Sequence, residues 1–361
     1  MSARLRGGIT TGTCAALAAK AAALLLFRNQ RVEQVEIQLP DHSRLAWAVE
    51  SLKRCDDGAE ASIIKDAGDD PDVTHGARIQ VSITPSRGTD VNFRAGSGVG
   101  IVTQPGLALS VGEAAINPVP RAMITAAIRE VTSHGIVVTV AVEGGEELAA
   151  KTFNPKLGIE GGISIIGTSG RVRPFSASAL QESLKCALDI CIASHATAPV
   201  FVPGNMGRTA ALRAFQLKSR QVVEVSNEWG YMLELAQAQP FEALLLLGHP
   251  GKLAKLAMGQ WNTHSSQSPS AVPFVADLAA QVIKQNIAHS TTVEGLFMQH
   301  LTSTQRHRVA NRLAEAIQHK TAETFPASWQ GQVVLINLKG EILGSAGDLH
   351  PWLPHPKEAR L

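Results

Sequence analysis

The stretch ALLLLGHPGK, residues 243–252, decides the fold of the second half of the chain. An uninterrupted apolar run ends here in glycine and is followed by a helical pattern, which is typical of a buried parallel strand that leads into a helix. The same features appear twice upstream, in VFVPGNMGR at 200–208 and in VVEVSNE at 222–228. These units in series predict a parallel sheet with crossover helices, a Rossmann-like α/β arrangement, and a strand pair over 333–343 is expected to close it.

Glycines and polar residues follow each of these strands. Ligands of such sheets bind beyond the carboxyl ends of the strands, and helix starts offer free amides to anionic groups, so these residues predict a site for a nucleotide-like ligand. Glycine also ends strands for steric reasons, and a lone histidine is more often a bystander than a ligand. The segment WNTH, 261–264, adds candidates near the same edge. The candidate cofactor-binding residues are Gly204, Asn205, Gly207, Ser226, Asn227, Gly248, His249, Gly251, Lys252, Asn262 and His264.

The first half of the chain predicts a different architecture, in which strands and turns dominate. An alanine- and leucine-rich stretch at 14–27 predicts a helix that starts at the threonines around Gly12. A hairpin is expected over 35–49, and a helix over 120–131 precedes a buried strand over 135–142.

The pattern changes near Pro174, which sets the predicted domain boundary. Ser176 and Ser178 are placed to cap a long helix that reaches about residue 195. We therefore expect an α+β domain over 1–173 and a Rossmann-like parallel α/β domain over 174–361, which together make an α/β protein.

The run ASIIKDAGDDPDVTHG, residues 61–76, concentrates ionisable side chains in the first half. Gly68 and Pro71 interrupt any helical spacing, so a loop between two strands is predicted. Loops held by rigid strands often carry chemistry. Aspartate, glycine and proline also favour turns for backbone reasons, so a solvated acidic turn is the alternative.

Composition narrows the classes of function. The chain has 361 residues, 45% of them hydrophobic, and a net charge of +2. This balance argues against a protein that coats nucleic acid or another polyanion. The apolar N-terminal stretch is interrupted by Lys20, so it is better explained as a core helix than as a leader or a membrane span. The four cysteines include no CxxC pair, so neither a structural metal nor a disulfide framework is indicated, and a reducing cytoplasm fits.

Six segments carry a resemblance to a known family. They occur in family order over residues 6 to 265 and resemble the motifs of the CbiD family, the cobalt-precorrin-5B C(1)-methyltransferases. The chain departs from the family pattern at Glu228 and in the stretch that follows His264. The segments are RGGITTGTCAALAAKAAALLL, ASIIKDAGDDPDVTHG, GVGIVTQPGLALSVGEAAINPVPR, KTFNPKLGIEGGISIIGTSGRVRP, VFVPGNMGR and LLLLGHPGKLAKLAMGQWNTHS.

The resemblance implies transfer of a methyl group from S-adenosylmethionine to ring carbon 1 of a cobalt-corrinoid in anaerobic cobalamin biosynthesis. It implies no protein-bound metal, because the cobalt belongs to the substrate. We expect the donor at the strand ends of the second domain and the macrocycle in the first. The sequence leaves open a homo-oligomer and transient contacts with neighbouring pathway enzymes; neither nucleic acid nor membrane is expected as a partner.

Residues of the first domain are assigned on this basis. A methyl transfer needs alignment and a base for a ring proton, and the substrate's carboxylates need cationic and hydroxyl partners. The negative charge of an aspartate near so anionic a substrate would need compensation, so ordering of the loop is an equal alternative role for these acidic residues. For the arginines, the alternative role is surface solubility. The catalytic candidates are Asp66, Asp70 and His75. The substrate-binding candidates are Thr10, Thr11, Thr13, Lys65, Asp69, Arg121, Arg171 and Arg173.

Two other classes of protein compete with this reading. A nucleotide-dependent enzyme acting on a small acidic substrate would suit the second domain, but GxxxxGK[ST] and a strand-linked GxGxxG are missing. A non-catalytic tetrapyrrole carrier would explain a large site without an obvious catalyst, but it would not need glycine-bearing strand ends for a second ligand.

Overall fold

The computed structural model describes residues 5–174, 177–215 and 217–353, with side chains for all of these except 156 and 177–179. The chain divides into two compact units, Met1–Leu180 and Gln181–Leu361, here called unit 1 and unit 2. Of the serines expected to cap the helix near Pro174, Ser176 and the side chain of Ser178 lie outside the described residues.

Unit 1 combines short strands with helices. Its elements are β1 (Gly8–Ile9), α1 (Thr11–Arg28), β2 (Gln34–Gln38), β3 (Arg44–Ala48), β4 (Ser51–Cys55), β5 (Gly58–Ile64), β6 (Arg78–Ser86), β7 (Val91–Ala95), β8 (Gly98–Val99), β9 (Ile101–Val102), α2 (Pro118–Arg129), β10 (Gly135–Val142), α3 (Gly145–Ala149), β11 (Ile159–Glu160), β12 (Gly162–Ile163) and β13 (Arg171–Val172).

The main sheet of unit 1 has five strands in the order β4–β5–β6–β10–β7. Its neighbours are antiparallel except β10 and β7, which run parallel. In β10, Ile136, Val138, Val140 and Val142 are buried, as expected for a strand with one face on a core. The predicted hairpin forms between β2 and β3, and β1 pairs with β13 in a separate two-stranded ribbon.

Helix α1 forms the centre of the unit 1 core. Its alanines let it approach other elements closely, and it packs against β5, β6 and α2. By length and hydropathy α1 could cross a membrane, but 83% of that window is buried inside the protein, as for a core helix.

Unit 2 alternates strands and helices before a run of helices. Its elements are α4 (Ala177–Ala193), which crosses the unit boundary, β14 (Val200–Val202), α5 (Asn205–Ala214), β15 (Val222–Glu224), α6 (Trp229–Gln237), β16 (Ala243–Gly248), α7 (Pro250–Ala257), α8 (Val272–Ile283), α9 (Val293–His300), α10 (Ser303–Thr324), β17 (Gln330–Ile336) and β18 (Ile342–Ala346).

The sheet of unit 2 confirms the predicted parallel arrangement. Its order is β15–β14–β16–β17–β18, with the first four strands parallel and β18 antiparallel. Every residue of β16 is buried, because α5 packs on the sheet and α7 and α10 cover neighbouring parts of it. The carboxyl ends of β14, β15, β16 and β17 therefore meet at one edge, here called the carboxyl edge.

Two helices of unit 2 begin earlier than the sequence pattern predicted. Helix α5 begins at Asn205 rather than residue 209, and α7 begins at Pro250 rather than residue 253. Gly207 and Gly251, which were interpreted as loop residues, lie in the first helical turn, where the backbone amides have no partner within the helix. The sequence reading also missed α8, α9 and α10, although Thr302 and Gln305 form a capping box at the start of α10.

Candidate functional site

Three of the motif segments in unit 1 are joined backbone to backbone. Ile9 N donates to Asp66 O at 2.8 Å, which ties β1 to the acidic loop. Thr10 N donates to Gly170 O at 3.2 Å and Gly12 N to Ile166 O at 3.0 Å. We call this assembly of residues 6–13, 66–75 and 166–173 the motif junction.

The threonine hydroxyls at the motif junction serve the fold rather than a ligand. Thr10 caps α1 by accepting from Thr13 N at 3.2 Å, and Thr13 Oγ1 donates to Gly170 O at 2.6 Å. Thr11 Oγ1 accepts from Ile166 N at 2.9 Å. All three threonines are buried. Their hydroxyls are therefore engaged inside the protein, and the assignment of Thr10, Thr11 and Thr13 to substrate binding stays a prediction.

Two glycines of the motif junction are required by close packing. A Cβ added at Gly8 would lie 2.3 Å from the Asp66 carbonyl oxygen, and one at Gly167 would lie 2.2 Å from Thr10 Oγ1. Gly167 also has φ +132°, which L side chains rarely adopt. The glycine-rich motifs here are thus explained by contacts between segments of the chain.

Lys65 makes an internal ion pair. It is 1% exposed, and its Nζ lies 2.6 Å from Asp72 Oδ2. Thr74 donates to Asp72 Oδ1 from both N and Oγ1. Burial by itself would raise the pKa of Asp72, but Lys65 and Thr74 outweigh it and the pKa is lowered. The enclosed ammonium of Lys65 thus supports the loop, and its expected contact with the substrate stays a prediction.

The carboxylate of Asp66 is fixed by Arg6. Arg6 Nη1 and Nη2 bind the two carboxylate oxygens of Asp66, and Arg6 N donates to Asp69 Oδ2 at 2.6 Å. The hydrogen bonds from Arg6 and from Gly68 N lower the pKa of Asp66 to about 2. A carboxylate with so low a pKa accepts protons poorly near neutral pH, so Asp66 is unsuited to act as the base. Asp69 is exposed beside it.

His75 lies in the same loop with one ring nitrogen already engaged. Its Nδ1 accepts from Ala67 N at 3.1 Å, so the neutral ring carries its proton on Nε2. The side chain is 55% exposed. In this tautomer His75 offers an N–H donor to solvent rather than a lone pair, which favours binding of an anion over removal of a proton. Asp70, partly exposed, is the remaining catalytic candidate.

The arginines expected to bind substrate differ in availability. Arg121 Nη1 donates to Glu113 Oε1 at 2.9 Å and its Nε to Ile116 O at 2.8 Å, so its guanidinium supports the fold, and its role in substrate binding stays a prediction. Arg171 and Arg173 are exposed and alternate along one extended segment, as predicted.

The sheet of unit 2 has its topological switch point between β14 and β16. From β14 the chain moves to β15 on one side, and β16 then pairs with β14 on the other side. Ligands of open α/β sheets bind in the crevice at such a point. Gly204 and His249 follow these two strands, so the structure brings them to the same edge.

The start of α5 at this edge is open. No side chain caps it, and a Cβ added at Gly204 would find no atom within 4 Å. Asn205 and Met206 are exposed in the first turn. By contrast, a Cβ at Gly207 would lie 3.0 Å from Val202 Cβ, and one at Gly248 would lie 2.6 Å from Leu253 Cδ1. Close packing therefore accounts for those two glycines, whereas Gly204 leaves space.

His249 uses both of its ring nitrogens. Its Nδ1 accepts from Gly251 N at 3.0 Å, which caps α7, and its Nε2 lies 2.9 Å from Glu294 Oε2. Glu294 belongs to α9 in a region for which the sequence reading gave no candidates. His249 therefore positions the start of α7 and links it to α9. Lys252, in the first turn of α7, is half-buried, and burial and the charge of Lys255 lower its pKa.

The segment after α7 reaches the end of β15, as expected. Ser226 has φ +55°, Thr263 Oγ1 donates to Asn227 Oδ1 at 3.0 Å, and Asn262 Nδ2 donates to Glu228 Oε1 at 2.7 Å. Glu228, which departs from the family pattern, thus binds the segment that follows α7. His264 is exposed, with Nδ1 2.7 Å from Ser266 Oγ. Within residues 5–174, 177–215 and 217–353, no group of three or more His, Cys, Asp or Glu side chains is arranged to hold a metal ion.

These features define a two-unit α/β protein whose second unit is a Rossmann-like parallel sheet with an open carboxyl edge. Family comparisons are consistent with this class. The family model described as CbiD matches residues 1–174, and the model described as CbiD, C-terminal domain, matches residues 262–347. The chain belongs to the CbiD family. The match over 262–347 includes the stretch that follows His264.

Relatives match almost the whole chain. A protein of Syntrophotalea carbinolica is 51% identical over 96% of this chain and 99% of its own length, and one of Moorella thermoacetica is 40% identical over 94% and 95%. Both are named cobalt-precorrin-5B C(1)-methyltransferase. A crystal structure of the cobalamin biosynthesis protein CbiD from Archaeoglobus fulgidus is 30% identical, covers 72% of this chain and 82% of that one, and gives a TM-score of 0.40.

Proposed function

We propose that this protein transfers the methyl group of S-adenosylmethionine to ring carbon 1 of cobalt-precorrin-5B, giving cobalt-precorrin-6A. The observation that carries the proposal is the near full-length similarity to relatives named for that reaction, together with an open carboxyl edge in unit 2. A cytoplasmic location is part of this proposal.

The residues at the carboxyl edge suit the methyl donor. The uncapped amides of α5 can bind its carboxylate, and the space beside Gly204 allows it to approach the backbone. Met206 is 38% exposed and offers an apolar surface to the adenine. Ser226 and Asn227 border the same edge, so they can hold polar groups of the donor.

The residues at the motif junction suit the corrinoid. Arg171 and Arg173 are exposed cations for its carboxylates, and His75 can add an N–H donor. Ile166 is 50% exposed in the same assembly and offers an apolar contact to the face of the macrocycle.

The chemistry asks the protein mainly for alignment. Bound S-adenosylmethionine supplies a methyl group that is already activated for displacement by an electron-rich ring carbon. The residues of the chain then orient the two substrates, exclude water and accept a ring proton. The candidates for that base are Asp66, Asp70 and His75, of which Asp66 is the least suited because hydrogen bonds from Arg6 and Gly68 lower its pKa to about 2. Asp70→Asn should lower kcat by about 100-fold; an unchanged kcat would exclude Asp70.

The proposal is tested by anaerobic incubation of the protein with methyl-labelled S-adenosylmethionine and cobalt-precorrin-5B. We expect one labelled methyl group at ring carbon 1, seen in the corrinoid mass and in the position of the label. Binding of both ligands without transfer would instead identify a carrier. Binding of nucleoside phosphates in place of S-adenosylhomocysteine would identify a nucleotide-dependent enzyme.

A further inference from the structure

A buried lysine of unit 2 has no part in the chemistry described above. Lys255, on α7, is 7% exposed, and its Nζ donates to Thr263 O at 3.1 Å and to Ser268 Oγ at 2.8 Å. Neither acceptor is a carboxylate. Taking an ammonium group out of water costs several kcal/mol, which an apolar side chain of similar volume would avoid. The position therefore serves hydrogen bonding rather than filling of space.

The two acceptors of Lys255 lie in one loop, residues 262–268. Ser268 Oγ donates in turn to His264 O at 2.9 Å, so the lysine holds both ends of a tight turn. Helix α7 begins at the carboxyl end of β16, and this loop follows the helix, which ends at Ala257, after four intervening residues. Lys255 thus fixes the loop to the helix from which it departs.

The 262–268 loop binds the turn after β15 on its other side. Thr263 N donates to Asn227 O at 3.1 Å, in addition to the side-chain bond between the same two residues, and Asn262 binds Glu228. Ser226 precedes this contact with φ +55°, a conformation that costs a residue other than glycine about 1 kcal/mol or more unless its surroundings hold it. The loop supplies those surroundings, and Lys255 supports the loop.

We propose that Lys255 is a positioning residue: through the 262–268 loop it holds the turn at Ser226 and Asn227 in the shape that binds the methyl donor. This inference rests on the proposed function. It assigns to Lys255 an effect on donor affinity and none on the chemical step, since its ammonium is enclosed by protein atoms.

The test compares Lys255→Met with the wild type and with Lys185→Met, which removes a lysine from an exposed ion pair with Asp189 on α4. S-adenosylhomocysteine is titrated by calorimetry, and KM is measured for each substrate. For Lys255→Met we expect affinity for S-adenosylhomocysteine to fall about ten-fold and KM for S-adenosylmethionine to rise equally, with kcat and KM for the corrinoid unchanged. The control should match the wild type.

Ser268→Ala removes one acceptor and should weaken binding about three-fold, which keeps the inference testable if Lys255→Met does not fold. Wild-type affinity in Ser268→Ala and in any folded Lys255→Met would overturn it, as would a fall in kcat at constant KM. If the wild type itself binds no S-adenosylhomocysteine, the proposed function fails and the inference fails with it. If the wild type binds it and the variants bind it equally well, the inference fails alone, so the two failures are distinguishable.

Discussion

The motif junction of unit 1 and the carboxyl edge of unit 2 are both rich in glycine and polar residues, yet they use them differently. At the junction, the threonines, Lys65 and the close-packed glycines bind other parts of the chain. At the edge, the start of α5 has no side-chain cap and Gly204 borders open space. The comparison teaches that a motif dense in glycine and polar residues can mark a place where segments of the chain bind one another, whereas a motif with few of them can mark a site open to a ligand.

The largest expected effect comes from breaking the ion pair inside the acidic loop. Lys65→Met leaves the largely enclosed carboxylate of Asp72 without its cation and should lower the free energy of unfolding by about 3 kcal/mol. Denaturant titration measures it. Lys53→Met, which removes from β4 the exposed partner of Glu60, should stay close to the wild type. Normal stability with lost activity in Lys65→Met would instead place Lys65 among the ligand-binding residues and break the comparison.

Glycine substitutions at the carboxyl edge sharpen the other side of the comparison. Gly204→Ala adds a methyl group in open space, so the free energy of unfolding should not change while the Kd of S-adenosylhomocysteine rises about ten-fold. Gly248→Ala should lower the free energy of unfolding, because its Cβ would meet Leu253. Calorimetric titration and denaturant unfolding separate the two. Unaltered binding by Gly204→Ala would mean that the donor does not approach this backbone.

His75 is the junction residue most open to a ligand, so its substitution tests whether the junction binds substrate at all. If His75 donates an N–H hydrogen bond to a substrate carboxylate, its loss in His75→Ala should raise KM for the corrinoid about five-fold and leave kcat unchanged. His75→Gln keeps an N–H donor and should recover part of the loss. A fall in kcat of about 100-fold would make His75 the base after all.

The smallest effect is a dependence of stability on pH. The pKa of Asp66 is lowered from 3.8 to about 2 in the folded protein, so its pairing with Arg6 stabilises the fold above about pH 4 and is lost as pH falls toward 2. Acid unfolding of the wild type should therefore show a decline in that window that is weaker in Asp66→Asn. Identical curves for the two proteins would show that the ion pair contributes nothing.

Local sequence patterns predicted those strands and helices whose apolar residues form a continuous run or recur at a regular spacing. The apolar runs of β14, β15 and β16 were sufficient to predict a parallel sheet, because strands buried on both faces need no polar alternation. The later helices were missed although Val309, Leu313 and Ile317 of α10 are spaced four residues apart and buried. That signal was present in the sequence and was overlooked.

The candidate site was harder to predict because partners across the chain decide what a side chain can do. Nothing near Arg6 in the sequence shows that it binds Asp66, a separation of 60 residues. Lys65 and Arg121 were expected to bind substrate from their charge, but burial and nearby acceptors already engage them. Gly204 and Gly248 have the same identity, and only the packing around them separates an open position from a filled one.

The order of strands in unit 2 has a consequence for synthesis on the ribosome. Strand β16 pairs with β17, which begins at Gln330, whereas β16 ends at Gly248. Roughly 80 residues must therefore be translated before the second edge of this leucine-rich strand is covered, which takes about 4–16 s at ordinary rates of translation. During that interval the nascent chain has an apolar strand with one unpaired edge, the kind of segment to which chaperones bind and from which aggregation starts.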